Sequence, residues 1–409
     1  MRAVPAALIR RFPALRIAAR RSRALVRRLR FLCRAGLPHI EEKTVVFAAY
    51  GGRSYACSPK AIYEYMRDTP EYGDFTLIWL FKDPERYRFL EAHPRTKLCA
   101  FGSSEADRAA ARAKYWVFNF MVPDEWVPRR EQVYVQCWHG TPLKKLGLDL
   151  VRSENAMNSV REIHARYREN AKKLDYLLSP SPFASAAFTT AWGLRAAQKA
   201  GAVLELGYPR NDFLAAYTQR DAARIRERLG LSGCEKRILL YAPTWRDDQY
   251  DPKKGYTYDC PVDFDRLRAS LSEDFVILFR AHYLVADQFD FSRYAGFVLD
   301  VSGIDDINDL YVVSDMLITD YSSVFFDYAN LGRPILFYMY DLELYRGRLH
   351  EFYLEPDELP GEIVRDEAAL ADAVRRSIGA GAQLGAFNAR FNPYQDGQAS
   401  KRIVEAMIE

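Results

Sequence analysis

Short runs of β-branched and aromatic residues alternate with stretches of helical periodicity twice along this chain, and that alternation constrains the fold more than any other feature. From Lys43 onward, Thr44–Ala49, Thr76–Phe81, Tyr115–Asn119, Val133–Trp138 and Asp175–Ser179 have strand composition. Lys60–Arg67, Pro84–Ala92, Ser104–Arg112, Ala156–Lys172 and Phe183–Ala191 separate them with helical spacing. A second series places strands at Arg237–Ala242, Phe275–Arg280, Phe297–Asp300, Asp315–Thr319 and Pro334–Tyr338. Its helices fall near Ala222–Leu229, Phe264–Leu271, Ser323–Leu331 and Ala368–Ser377. Alternation of this kind implies parallel sheets covered on both faces. At 409 residues the chain is long for one domain. The two series predict doubly wound α/β domains over 41–202 and 203–396, with a seam near Gly201–Pro209. A last helix over 397–409 is expected to pack back on the first half. Facing domains of this type bind ligand in the cleft at the carboxyl ends of their strands.

Composition excludes several other classes. Hydrophobic residues at 49% and charged residues at 27% are globular values. The six cysteines show no CxxC or metal-ligand spacing, which excludes a disulfide scaffold or zinc ribbon and suggests a reducing compartment. The longest uncharged run, Leu177–Leu194, is broken by Pro180, Pro182 and Gly193 and does not read as a bilayer span.

Charge is divided unevenly. Residues 1–40 hold eleven arginines and no acid, and the remainder carries 47 basic against 54 acidic residues. The body is therefore mildly acidic and does not resemble a nucleic-acid binder. In the leader, Leu25, Val26, Leu29, Leu32 and Cys33 fall on one helical arc, and Arg20, Arg23, Arg27, Arg30 and Arg34 on the opposite one. Such a helix suits the headgroup layer of an anionic membrane, where each arginine is worth about 1 kcal/mol. A structural arm and a nucleic-acid arm are the alternatives.

Chemistry-bearing residues cluster where strands end. Trp138-His139-Gly140-Thr141-Pro142-Leu143-Lys144 follows the strand Val133–Trp138. A neutral imidazole on that tight turn can take a proton from an acceptor hydroxyl, and Lys144 and Lys145 can hold an anionic acceptor. A hydrogen-bonded structural histidine is the plainer alternative. Thr319-Asp320-Tyr321-Ser322-Ser323 closes one strand and opens a helix, a place where free N–H groups and hydroxyls accept phosphate; ordinary capping is the alternative. Arg280 and His282, two apart on an extended chain, point to one face. Arg246 follows another strand, and Arg210 sits at the seam. Converging cationic strand ends point to phosphate. No GxxxxGK[ST], GxGxxG or HExxH run is present.

Taken together, QCWHGTPLKKLG (Gln136–Gly147), GYPRND (Gly207–Asp212), YAPTWR (Tyr241–Arg246), RAH (Arg280–His282) and ITDYSSVFFDY (Ile318–Tyr328) resemble the signature set of the CDP-glycerol glycerophosphotransferases, the primases and polymerases of teichoic acid synthesis. The resemblance implies a GT-B-like pair of Rossmann domains, a CDP-glycerol or CDP-ribitol donor held by the second domain, and a lipid-linked saccharide or polymer acceptor. It also implies attachment to the cytoplasmic face of the membrane. Carried over by motif, His139 becomes the general base. Arg280 and His282, with Ser322, Ser323 and the neighbouring Asp320, belong to the pyrophosphate site, and His282 joins His139 among the catalytic candidates. Arg210 and Arg246 are weaker candidates for the same donor site, and Thr141 and Lys144 line the substrate side.

The leading expectation is thus transfer of glycerol phosphate, or a related polyol phosphate, from the CDP-polyol to a hydroxyl, with release of CMP. Fixed cations can stabilise the phosphate charge, so the sequence requires no metal and no cofactor. A GT-B nucleotide-sugar glycosyltransferase and a non-catalytic, membrane-peripheral anion-binding protein are the rivals, and homo-oligomerisation stays open.

Overall fold

The computed structural model describes residues 22, 25–33, 39–152, 158–244, 246, 250–251, 255–256, 260–281, 289–380 and 382–409. Seven parallel strands form the first sheet: β1 (Glu41–Ala48), β2 (Thr76–Phe81), β3 (Thr96–Ala100), β4 (Ala113–Phe118), β5 (Val133–Gln136), β6 (Tyr176–Ser179) and β7 (Val203–Glu205). Their order is β3-β2-β1-β4-β5-β6-β7. A two-residue antiparallel ribbon pairs β9 (Tyr250–Asp251) with β10 (Gly255–Tyr256). The second sheet contains β8 (Arg237–Ala242), β11 (Phe275–Phe279), β12 (Val298–Asp300), β13 (Met316–Thr319), β14 (Ile335–Tyr338) and β15 (Glu362–Val364), ordered β12-β11-β8-β13-β14-β15 and parallel throughout. In both sheets the order reverses beside the first strand, the doubly wound arrangement that opens a crevice at the carboxyl ends. Two such domains face each other, a GT-B-like architecture.

The central strands are apolar without a break because helices cover both faces. In β1, Val46 and Ala48 enter one core cluster and Val45 and Phe47 the other, all fully buried. In β8, Leu240 and Ala242 face one side and Leu239 and Tyr241 the opposite one.

Several elements differ from expectation. Sequence reading did not anticipate the edge strands β3, β7 and β15 or the helix Ile307–Val313. The helix expected over Ser323–Leu331 is a short α-helix, Val324–Tyr328, followed by a 3₁₀ turn, Ala329–Leu331, which ends on Gly332 at φ 65°. The stretch expected as a helix over Pro84–Ala92 is 3₁₀ over Glu85–Ala92, interrupted at the buried Tyr87.

The helix Ala399–Ile408 buries Ile403, Val404 and Met407 in the first domain's core, against the helix Cys57–Asp68. Its first N–H groups, those of Ala399 and Ser400, donate to Asp212 at 3.0 and 2.7 Å. Residues 25–33 are helical. Phe31 is buried there and packs on Trp126 with ring centroids 6.2 Å apart, while Leu25, Val26, Leu29 and Leu32 are each roughly half exposed or more. Arg20, Arg23 and Arg34 lie outside the described residues, and no described helix is long and apolar enough to cross a membrane.

Candidate active site

Carboxyl ends of strands from both sheets meet around one cavity of about 350 Å³. The first domain supplies Trp138, His139, Gly140, Thr141 and Lys144, which follow β5. The second supplies Thr244 after β8, Arg280 after β11, and Tyr321, Ser322 and Ser323 after β13.

The turn that carries His139 is held locally. Trp138 adopts φ 48°, a conformation that costs a non-glycine residue free energy. Its N–H donates to Gln136 Oε1 at 3.0 Å, and its ring meets Trp192 edge-on at 4.8 Å. The imidazole of His139 lies against Trp138 at 4.3 Å and meets Tyr50 edge-on at 6.0 Å. Its Nδ1 donates to the main-chain carbonyl of Asn119 at 2.9 Å. The ring is open to the cavity, yet the surrounding protein lowers its pKa. Desolvation is the largest cause; the Asn119 hydrogen bond opposes it, and the Arg210 charge adds to it. The result is a neutral imidazole.

Across the cavity, Arg280 Nη1 donates to the carbonyls of Ile304 at 2.7 Å and Val301 at 3.4 Å. Among the described residues it forms no ion pair with a carboxylate, an unusual state for a guanidinium so enclosed. Burial lowers its pKa, opposed by Tyr311, Tyr50, Asp306 and Asp305. A guanidinium does not deprotonate in a protein, so it stays charged. Ser323 occupies the position before the helix Val324–Tyr328, but its side chain caps nothing. The hydroxyl is thus not used in the ordinary capping role. Because the helix is so short, Ser322 and Ser323 rather than a long helix dipole carry the donor capacity here.

The two domains come into close contact at this point. A Cβ on Gly140 would collide with Ser323 Oγ, so glycine permits the closure. Leu143 is buried in the second domain's core. Tyr353 N–H donates to the Leu143 carbonyl at 2.8 Å, and Lys145 N–H to that of Glu351 at 2.8 Å. Lys144 lines the cavity with its Nζ 3.1 Å from Tyr345 Oη, and Thr141 is buried along the same wall.

Three expected donor-site residues lie elsewhere. Arg246 and Asp320 are both buried and pair with each other at 2.9 Å. Arg246 also pairs with Asp341 at 2.9 Å and faces the rings of Tyr321, Tyr340 and Tyr345. Asp320 further accepts the N–H of Thr244 at 2.8 Å, which fixes the β8 and β13 loops relative to each other. Arg210 is buried at the seam, stacks on Tyr208 at 3.8 Å and grips Asp327 with Nε at 3.1 Å and Nη2 at 2.9 Å. None of these three lines the cavity, and carboxylates neutralise both arginine charges. In this structure each of the three is held by a buried ion pair instead of facing the cavity where the donor-site expectation put it. His282 lies outside the described residues. Sequence reading missed Asn119, which holds His139, and Thr244; the signal available was their place at a strand end.

Among the described residues no group of three or more His, Cys, Asp or Glu side chains is arranged to hold a metal ion.

Residues 30–409 match the family model described as CDP-glycerol:poly(glycerophosphate) glycerophosphotransferase. The chain is 36% identical over 394 residues to the teichoic acid poly(glycerol phosphate) polymerase of Bacillus subtilis, covering 93% of this chain but only 50% of that protein. It is 37% identical over 373 residues to the teichoic acid glycerol-phosphate transferase of Staphylococcus aureus, covering 89% of this chain and 92% of that one. The solved structure of the wall teichoic acid polymerase TagF superposes with a TM-score of 0.82 at 33% identity, covering 95% of this chain and 97% of that chain.

Proposed function

The chain belongs to the CDP-glycerol:poly(glycerophosphate) glycerophosphotransferase family, and from that premise we propose that it transfers glycerol phosphate, or a related polyol phosphate, from a CDP-polyol donor to a hydroxyl of a lipid-linked cell-wall or capsule polymer, releasing CMP. The supporting observation is the cavity itself. It sets His139 of one domain opposite Arg280, Ser322 and Ser323 of the other.

The acceptor hydroxyl oxygen attacks the β-phosphorus. The bond from that phosphorus to the bridging oxygen breaks, CMP leaves with the oxygen, and the hydroxyl proton passes to His139 Nε2. Nε2 is free to accept it because Nδ1 carries its hydrogen toward the Asn119 carbonyl. Arg280 and the two serines stabilise the charge on the phosphates. His282 completes the donor site in this reading, and no cofactor is assigned. The solved TagF structures include a variant soaked with CDPG, which supports the choice of donor.

The acceptor is membrane-bound, and we place the protein peripherally on the cytoplasmic face. Residues 25–33 turn Leu25, Leu29 and Leu32 to solvent beside Arg27, Arg28 and Arg30, a suitable surface for anionic lipid.

The test offers the purified protein a panel of CDP-polyols and nucleotide sugars with a lipid acceptor and identifies the released nucleotide. CMP supports the proposal; a nucleoside diphosphate without CMP overturns it.

A further inference from the structure

The loop that follows β12 is held from two sides. On its inner side, the carbonyls of Val301 and Ile304 receive Arg280 Nη1. On its outer side, the next two residues reach across to the first domain. Asp305 takes Arg86 Nη2 on Oδ1 and the Tyr87 hydroxyl on Oδ2, each at 2.8 Å. Asp306 takes Lys60 Nζ on Oδ2 at 2.8 Å, while its Oδ1 caps the helix Ile307–Val313 through Asn308 N–H at 3.2 Å. Every carboxylate oxygen of the pair is engaged.

These contacts differ in worth. Arg86 is about half exposed, and a pair of that kind contributes little alone. Lys60 and Asp306 are mostly shielded, with side chains 22% and 12% exposed. Burial opposes the charge on Lys60, but Asp306 and Glu64 outweigh it and raise its pKa. Tyr87 is buried, so its hydroxyl approaches Asp305 from a fixed position. The three partners come from two elements of the first domain, the helix Cys57–Asp68 and the 3₁₀ stretch Glu85–Ala92. A loop of six residues thus links the position of Arg280 to contact between the domains.

We propose that Asp305 and Asp306 are positioning residues. With Lys60, Arg86 and Tyr87 they form an interdomain latch that holds the carbonyl cradle of Arg280, so that the guanidinium is set for the donor phosphates only when the domains are closed. This rests on the assignment of Arg280 to the donor site. Closure then raises donor affinity through Arg280, because a binding-competent state that is only partly populated weakens apparent affinity by its population.

The test measures CDP-glycerol binding to the full chain for wild type, R280A, the latch-free K60M/R86M/Y87F, and the combination of all four substitutions. The charge-keeping K60R/R86K serves as the conservative control. The expected result is about tenfold weaker binding without the latch, near-normal binding in K60R/R86K, and no further loss when the latch is removed from R280A, because coupled sites are non-additive. A latch-free protein that binds like wild type overturns the proposal. So does a latch effect of the same size with and without Arg280, which assigns these contacts to general domain stability. Failure of the underlying reading has a separate signature: wild type that does not bind CDP-glycerol, or R280A that binds normally, overturns the donor-site assignment and the latch with it.

Discussion

His139 and Asn119 are joined by a hydrogen bond whose direction is fixed: a main-chain carbonyl can only accept, so the 2.9 Å contact places the imidazole hydrogen on Nδ1. Neutral His139 therefore presents Nε2 as its lone pair. Any residue at 119 supplies that carbonyl, but Asn119 does more. Its Oδ1 accepts the N–H of Tyr50 at 2.7 Å, and Tyr50, held at φ 49°, closes the far side of the imidazole.

Desolvation lowers the His139 pKa below its ordinary value of 6.5, so the base remains neutral into mildly acidic solution. The acid limb of kcat/KM, which reports the free enzyme, is expected to fall at a pH below 6.5. His139→Ala should remove about 10²–10⁴ of turnover and leave donor affinity nearly unchanged. If calorimetry shows affinity collapsing while turnover per bound donor persists, His139 is a binding residue instead.

Arg280→Ala should weaken donor binding about 10- to 100-fold, as expected for losing charge-assisted hydrogen bonds of roughly 1.5–3 kcal/mol. Arg280→Lys should recover only part of this. A lysine point charge cannot both fill the carbonyl cradle of Val301 and Ile304 and present a second nitrogen to the cavity. Full recovery by lysine would mean that charge alone matters at this position.

For Arg246 the expected loss is stability, not phosphate affinity. Truncation to alanine leaves Asp320 and Asp341 without their shared cation in a buried setting, a change that typically costs about 3–5 kcal/mol. Denaturant unfolding should show it, while the surviving folded protein binds donor normally. Unchanged stability with weakened donor affinity would return Arg246 to the phosphate site.

These outcomes follow a division between what the sequence discloses and what it conceals. His139, Thr141, Lys144, Arg280, Ser322 and Ser323 were legible because each follows an apolar strand, and parallel sheets turn such positions toward the cleft. The partners of the other cations were not. Asp327 lies 117 residues from Arg210 and Asp341 lies 95 from Arg246, so charge was visible and its neutralisation was not. Strands β7 and β15 have three residues each, too few for a periodic signal, and β7 sits in the stretch read as the seam. Asn119 acts on His139 through its main chain, which no side-chain pattern can reveal.

The contact between Gly140 and Ser323 gives a double-mutant test of closure. A methyl at 140 meets Ser323 Oγ, and small misplacements at a reacting centre cost up to 10²-fold. Gly140→Ala should therefore lower turnover by about that factor. Ser323→Ala alone should cost less, since main-chain N–H groups remain. If the domains close as described, the double variant should be more active than Gly140→Ala alone. Strictly additive losses would show that the two residues do not meet during turnover.

Residues 25–33 do two things at once: Phe31 is buried against Trp126, and Leu25, Leu29 and Leu32 face solvent. Deleting the whole leader would remove both and confuse lost attachment with a damaged core. Replacing Leu25, Leu29 and Leu32 by Gln leaves Phe31 in place and, since the three side chains are at least half exposed, should change the melting temperature little. The variant is expected to lose sedimentation with anionic vesicles, to keep activity on a soluble acceptor analogue, and to lose activity on a membrane-embedded acceptor. Replacing Arg27, Arg28 and Arg30 by Gln should give a partial loss that vanishes into the wild-type background as salt rises, because screening removes the same attraction. Phe31→Ala is the control for packing: it should lower stability by about 3–5 kcal/mol if the aromatic contact anchors the helix. Vesicle binding that survives the leucine replacements in full would place the membrane contact elsewhere on the body.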